Sequence, residues 1–240
     1  MTTASTATPL ALIGMGRMGR ALAELAPGRG FEVVARIARG QPLTRDSLNG
    51  AAVAIEFTTP DSAVANVLAC AAAGCPVVVG TTGWYAELPA VRAEVERVGG
   101  AMVHAPNFSV GVAVFDRVVA EAARLFAAVE SFDAHLVETH HTAKKDAPSG
   151  TAASLARSAE AASGQPMPIT SVRVGSVPGT HEVVFDGAFE QVRLVHEARD
   201  RRVFAEGALT AARWLVGRKG AFTMQDVLNT PHATPHTTTR

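Results

Sequence analysis

Short apolar runs alternate with segments of helical periodicity through the first half of the chain. Residues 10–13, 33–37, 53–57, 76–79 and 101–104 have the length and composition of buried strands. Between them, Met18, Ala21, Leu22 and Leu25 recur at helical spacing, as do Val64, Val67, Leu68 and Ala71, and a further helix is expected over 88–98. The second of these helices opens at Thr59-Pro60-Asp61, a cap residue followed by proline at the first helical position. The run at 76–79 is apolar throughout, as suits a parallel strand covered on both faces. Strand–helix alternation of this kind predicts a doubly wound α/β domain.

After Asn107 the pattern changes. A helix over 112–129 precedes residues 132–139, where Phe132, Ala134 and Leu136 alternate with Asp133 and His135. A helix begins near Pro148. Residues 170–175, 181–185 and 191–197 follow as strands with no long helix between them, and 203–216 has helical periodicity again. The expected architecture is a Rossmann-like doubly wound parallel sheet over 10–107 plus an α+β domain over 108–202 with a mixed sheet. The C-terminal helical stretch 203–228 is expected to pack back on the first domain. One face of the second sheet has no obvious helix to cover it, which makes that sheet a candidate oligomer interface.

Composition narrows the class. The 240 residues are 48% hydrophobic and 18% charged, which supports a sizeable core and argues against global disorder. Twenty-two basic residues balance 22 acidic ones, so no nucleic-acid or membrane-surface partner is indicated and any anion site must be local. Cys70 and Cys75 suggest small buried thiols in a reducing cytoplasm rather than a disulfide framework. No apolar stretch approaches a membrane span. The Thr/Ala-rich start, 1–9, lacks the pattern of a signal peptide, and with the Thr/Pro/His-rich tail, 229–240, it is expected to be loose.

Directly after the first run stands Gly14-Met15-Gly16-Arg17-Met18-Gly19, a full G-x-G-x-x-G in strand–turn–helix context. The glycines permit a tight turn, close approach of backbone to a pyrophosphate, and close helix–strand packing; the helix N-terminus adds N–H donors and partial positive charge. The position that often carries an acidic residue for ribose hydroxyls reads Arg36-Ile37-Ala38-Arg39. Guanidinium groups there suit a 2′-phosphate, which favours NADPH and leaves NADH as the alternative. Two further loops follow strands of the same sheet, Gly80-Thr81-Thr82-Gly83 and Ala105-Pro106-Asn107-Phe108, and both can offer backbone groups to a nicotinamide.

The densest chemistry lies in residues 138–152, from Glu138 to Ala152. His140, His141 and Lys144 are candidate acid and cation groups, and Ser149, Gly150 and Thr151 lie at a helix start that can cradle a carboxylate. Adjacent histidines on a strand face opposite sides, and no cysteine or third histidine follows at ligand spacing, so no metal site is expected.

The stretch His140-His141-x-x-Lys144-x-Asp146-Ala147-Pro148-Ser149-Gly150-Thr151-Ala152 resembles the signature of the dihydrodipicolinate reductase family. The glycine loop, the Gly80 loop, Pro106-Asn107-Phe108-Ser109, Ser171-Val172-Arg173 with Gly179-x-His181-Glu182, and Phe204-Ala205-x-Gly207-Ala208 resemble its other landmarks in order. The resemblance implies an NAD(P)H-dependent oxidoreductase of lysine and diaminopimelate biosynthesis that acts on a small cyclic dicarboxylate. It further implies His140 as proton donor, Lys144 as its catalytic partner, His141 as a substrate contact, and Gly150 and Thr151 at a substrate carboxylate. The cofactor shell it implies runs over 14–19, 80–82 and 105–108. A homotetramer built on the second-domain sheets, with domains that close over the ligands, is implied as well. Two departures stand out: a glycine loop one residue shorter than in many members, and Thr142-Ala143 where many carry a basic or ring-bearing residue. A different two-domain dehydrogenase would share the glycine loop but not residues 140–152, and a non-catalytic nucleotide sensor would need neither proton donors nor an anion cradle.

Overall fold

The computed structural model describes residues 7–129 and 131–229. The chain divides into two compact units, one comprising residues up to Ala105 with those from Leu209 onward, the other comprising Pro106–Ala208.

The first unit is built on six parallel strands: β1 (Thr8–Ile13), β2 (Phe31–Ile37), β3 (Val53–Glu56), β4 (Val77–Val79), β5 (Ala101–His104) and β10 (Gly220–Thr223). Their spatial order is β10-β5-β4-β3-β1-β2, with parallel registers throughout. Every residue of β3 and β4 is buried, the consequence of apolar runs covered on both faces. The helices α1 (Arg17–Leu25), α2 (Pro60–Ala73) and α3 (Leu88–Arg97) are the crossovers. Pro60 opens α2 after Thr59, as the sequence predicts, although the Thr59 side chain makes no capping bond; Gly74, at φ 71°, closes it. Side chains of α2 and α3, among them Val67, Cys70, Val91 and Val95, pack on Ala54, Val77 and Val79 to form this unit's core. The order of strands reverses between β1 and β3, so the loops at their carboxyl ends bracket a crevice.

The C-terminal stretch differs from the expectation of a helix over 203–228. Only α6 (Arg202–Leu215) is continuous helix; β10 then adds an edge strand to β5 and α7 (Met224–Asn229) follows. The part of α6 beyond Leu209 packs on the first unit, where the Arg213 guanidinium lies 4.9 Å from the centre of the Phe31 ring. Trp214 meets Phe222 of β10 edge-on at 5.0 Å. The expected loose start, 1–9, and tail, 229–240, lie mostly outside the described residues; Thr8 and Pro9 belong to β1, and Asn229 ends α7.

The second unit is a mixed sheet in the order β7-β6-β8-β9, made of β6 (Phe132–His140), β7 (Ile169–Arg173), β8 (Thr180–Gly187) and β9 (Gln191–Glu197). β7 runs parallel to β6, while β8 and β9 are antiparallel neighbours. α4 (Val110–Phe126) and α5 (Gly150–Ser163) cover one face. Val119, Ala123, Leu155 and Ala159 of the helices meet Leu136, Val183 and Phe185 of the sheet. Strand alternation sets which residues join them: the registers put Leu136 beside Ile169 and Val183, Glu138 beside Ser171 and His181, and His140 beside Arg173. The helix-covered face therefore grades along β6 from an apolar core into a row of buried polar groups.

Candidate active site

At the carboxyl ends of β1, β2 and β3 lies a cavity of about 300 Å³, lined among others by Gly14, Gly16, Arg39, Gly40 and Thr58. Gly14 has φ 93°, and a Cβ there would meet the Phe57 carbonyl oxygen at 2.0 Å. A Cβ on Gly19 would lie 2.0 Å from the Gly14 carbonyl oxygen, so only glycine lets α1 approach β1 this closely. Gly16 caps α1 with no side-chain acceptor, which leaves the first-turn N–H groups of Arg17 and Met18 to a ligand. Backbone donors, a helix N-terminus and open space at Gly16 fit a dinucleotide pyrophosphate.

The remaining cofactor candidates separate. Arg39 lines the cavity, whereas Arg36 lies within β2, opposite Leu12, and does not. Gly80 packs against the Phe57 ring. Thr81 is buried: its hydroxyl accepts from the Thr58 N–H at 2.7 Å and donates to Glu56 at 3.0 Å, so it braces the loop rather than reaching outward. Thr82 and Pro106 are exposed, Met15 and Met18 are half-buried, and Ala105 and Phe108 are buried. Asn107 belongs to the second unit, where its side-chain N–H donates to the Thr151 hydroxyl at 2.9 Å and its carbonyl accepts from the Ser109 N–H at 2.8 Å.

Sequence reasoning missed Glu56. It is fully buried at the end of β3 and accepts from Thr58, Thr81 and Asn66. Burial holds its carboxyl above the ordinary range against those three bonds. The signal was a carboxylate ending an otherwise apolar strand.

In the second unit the open end of β6 carries the charged cluster. Glu138 is fully buried. One carboxylate oxygen accepts from Nδ1 of His140; the other accepts from Arg173 Nη2 at 2.7 Å and from the Ser149 N–H at 3.4 Å. Burial raises the Glu138 carboxyl, yet bonds from Arg173, Ser171 and His140 outweigh it and hold the group below its ordinary range. Burial lowers His140, the Glu138 bond opposes that, and the charges of Lys144 and Arg173 add to the lowering. His181 meets the His140 ring edge-on at 5.3 Å; burial, then the charge of His140, brings it down to about 4.

Lys144 bonds Asp146 at 2.9 Å. His141, the first residue past β6, accepts from Arg201 Nη2 at 3.4 Å. Arg201 is a second cation that sequence reasoning did not single out, because it lies sixty residues downstream. Pro148, expected to begin α5, precedes the helix: Ser149 is the N-cap and Gly150 the first helical residue. The Ser149 hydroxyl, 2% exposed, accepts from the Ala152 N–H and lies 3.3 Å from His181 Nε2. The Ser149 side chain is thus bonded under the helix start. Gly150 and Thr151 supply the donors that remain in the first turn.

The fold also supplies a third potential metal ligand that local spacing did not reveal. Single ligand atoms of Glu138, His140 and His181 lie within 4.8 Å of one another. Both oxygens of that carboxylate are already engaged, one by the Arg173 guanidinium and the other by His140 Nδ1.

Family models described as dihydrodipicolinate reductase, N-terminus and C-terminus, match residues 8–108 and 111–228. A 4-hydroxy-tetrahydrodipicolinate reductase of Christiangramia forsetii is 34% identical over 234 residues, covering 92% of this chain and 97% of the relative. One from Stenotrophomonas maltophilia is 39% identical over 241 residues, covering 92% and 98%. Among solved structures, a dipicolinate-bound dihydrodipicolinate reductase from Paenisporosarcina sp. TG-14 superposes with a TM-score of 0.77 over 90% of this chain and 97% of that one, at 23% identity, a likeness of fold.

Proposed function

This chain belongs to the dihydrodipicolinate reductase family, and from that premise we propose that it is a 4-hydroxy-tetrahydrodipicolinate reductase. In this reading it reduces a cyclic dicarboxylate to tetrahydrodipicolinate in lysine and diaminopimelate biosynthesis. The observation that carries the reading is the cluster at the open end of β6: His140, His141, Lys144 and Arg201 beside the first turn of α5.

A bound nicotinamide cofactor supplies the hydride. The chain's own residues hold the substrate and move the proton. Lys144, His141 and the Gly150 and Thr151 N–H groups take the carboxylates, with the positive end of α5 behind them. Negative charge that develops on the ring as it accepts the hydride is stabilised by Lys144 and that helix end. His140 completes the addition with a proton from Nε2, since Nδ1 is bonded to Glu138.

Arg39 supports NADPH as the cofactor, for its guanidinium stands where no carboxylate is available for ribose hydroxyls. The face of the second sheet opposite α4 and α5 exposes Val172 and Val195, 37% and 54%, which supports assembly into a homotetramer through that sheet. Two buried cysteines without a disulfide suit a cytoplasmic enzyme, and no helix among the described residues is long and apolar enough to cross a membrane.

The test is loss of reduced-nicotinamide absorbance with NADPH and with NADH, the cyclic substrate being produced in the cuvette by a coupled synthase. Rapid substrate-dependent oxidation is expected, faster with NADPH. No oxidation with either cofactor, by protein shown to be folded, overturns the reading.

A further inference from the structure

The geometry points to Glu138 as a positioning residue of this reaction: by accepting from Nδ1 of His140 it fixes the imidazole tautomer, so that Nε2 alone exchanges a proton with the substrate. This deepens the reading of His140 as proton donor and rests on it.

Three observations carry the inference. The first is the bonding of the carboxylate itself. Glu138 is fully buried, and both its oxygens are engaged, one by His140 Nδ1 and the other by Arg173 Nη2 and the Ser149 N–H. Such a carboxylate stays ionised and can only accept, so the Nδ1 partner must be the donor. The second is register. Glu138 and His140 are two residues apart on β6 and share its helix-covered face, while Arg173 sits opposite His140 on β7 and reaches back to Glu138. Arg173 is itself fixed by donating to the Asp146 carbonyl at 2.6 Å and, through Nη1, to the Val172 carbonyl at 2.8 Å. The ring therefore has one orientation. The third is the space at Nε2. A Cβ added to Gly179 would lie 3.1 Å from that nitrogen, and φ of +154° at this position discourages any side chain. The Nδ1 edge is held by an acceptor, while the Nε2 edge faces a residue with no side chain.

The charged and titratable groups around the ring decide when it is loaded. Arg173 of β7 and Lys144 of the following loop disfavour imidazolium and Glu138 favours it, while His181 of β8, edge-on to the ring, is held neutral by burial. Asp146 is paired with Lys144, and His196 of β9 lies beyond His181, opposite it in register. A dicarboxylate that occupies Lys144 removes one opposing charge, and the Glu138 carboxylate then supports the proton on Nε2. Where the ring enters hydroxylated, its hydroxyl leaves as water before the hydride adds; the proton then given up to the ring atom is the one on Nε2, and it is regained from solvent, so the cycle balances without a further reactant.

The test uses the full-length protein in two arms. In the wild-type chain, ring ¹⁵N shifts and two-bond couplings of His140 are expected to report the proton on Nδ1 in the neutral form; a proton on Nε2 instead would overturn the inference, whatever the substrate proves to be. In kinetics, Glu138→Gln keeps size and hydrogen-bonding capacity but not charge. It is expected to lower kcat by about 10²-fold, to leave KM and NADPH affinity close to wild type, and to move the basic limb of the kcat–pH profile to lower pH. Glu138→Gln combined with His140→Ala is expected to be no slower than His140→Ala alone, since both act through one proton. An unshifted pH profile, or additive losses in the double variant, would mean that Glu138 serves the fold only. Full turnover by His140→Ala would instead remove the proton-donor reading, and the tautomer measurement would still stand separately.

Discussion

The two chemical ends of this chain are made of different materials. At the carboxyl ends of the first sheet the site is defined by side chains that are missing: a Cβ on Gly14, Gly19 or Gly80 would meet its nearest neighbour at 2.0 Å. At the open end of β6 the site is defined by side chains that touch, with buried Glu138, His140 and Ser149 and half-buried Arg173 bonded in one group. A cradle of backbone is set by shape, holds no titrating group of its own and fails when a methyl is added. A cluster of charges is set by mutual pairing, shifts with pH and fails when one member is neutralised.

The largest expected effect is on chemistry alone. Lys144→Ala and His140→Ala should each lower kcat/KM by about 10²- to 10⁴-fold, while fluorescence titration finds NADPH affinity unchanged. Retained turnover in both variants would sink the role assignment. Loss of cofactor affinity together with turnover would mean that the two ends are not separable in the way their construction implies.

Next comes acid stability. The folded chain holds His181 at about 4 against an ordinary value of 6.5, so it stays neutral in a range where the unfolded chain takes up a proton. A histidine depressed in this way stabilises fully above the ordinary value, and that contribution is lost as pH falls from 6.5 through 4. Denaturant titrations should show the wild type losing about 3 kcal/mol from this group over that window. His181→Asn should flatten the slope by that amount. A slope equal in the two proteins would locate the acid sensitivity elsewhere.

The counterpart at the glycine end is smaller and free of pH. Gly19→Ala drives a Cβ into the Gly14 carbonyl and should cost about 2 kcal/mol of stability. NADPH affinity should drop at least tenfold, by the same factor across the pH range. A pH-dependent loss would show that a titrating side chain has been overlooked there, and buried Glu56 would be the first suspect.

The same contrast explains what the sequence disclosed. The glycine loop was legible because strand, turn and helix follow one another directly over residues 8–25, and the parallel strands were legible as unbroken apolar runs. β10 was not. Gly220-Ala221-Phe222-Thr223 is too short to carry a pattern and becomes a strand only by pairing with β5. The charge cluster was half legible: His140, His141 and Lys144 stand together, but Arg173, His181 and Arg201 arrive from β7, β8 and the segment before α6 through tertiary register. Glu138 had a usable signal. It shares the parity of Phe132, Ala134 and Leu136, so strand alternation alone puts a carboxylate on the buried face. Ser149 was ambiguous in the sequence, because a hydroxyl at a helix start reads equally as cap or ligand contact; in the structure it caps α5.

Arg39 is the exception that sharpens the comparison, a charge at the end built from backbone. It lines the cavity beside Gly14 and Gly40, three residues past Arg36, which does not. If its guanidinium pairs with a 2′-phosphate, Arg39→Ala should raise KM for NADPH about tenfold, the lower range for a charge-assisted bond at an exposed position, and leave KM for NADH unchanged. The effect should shrink as salt rises, since the group is open to solvent. Arg36→Ala should change neither cofactor. Equal losses with both cofactors would mean that Arg39 holds the shared part of the dinucleotide. An effect confined to Arg36→Ala would mean that phosphate recognition lies outside this cavity. The predicted outcome instead leaves the cofactor end with one charge that selects between two cofactors, while the backbone cradle binds both.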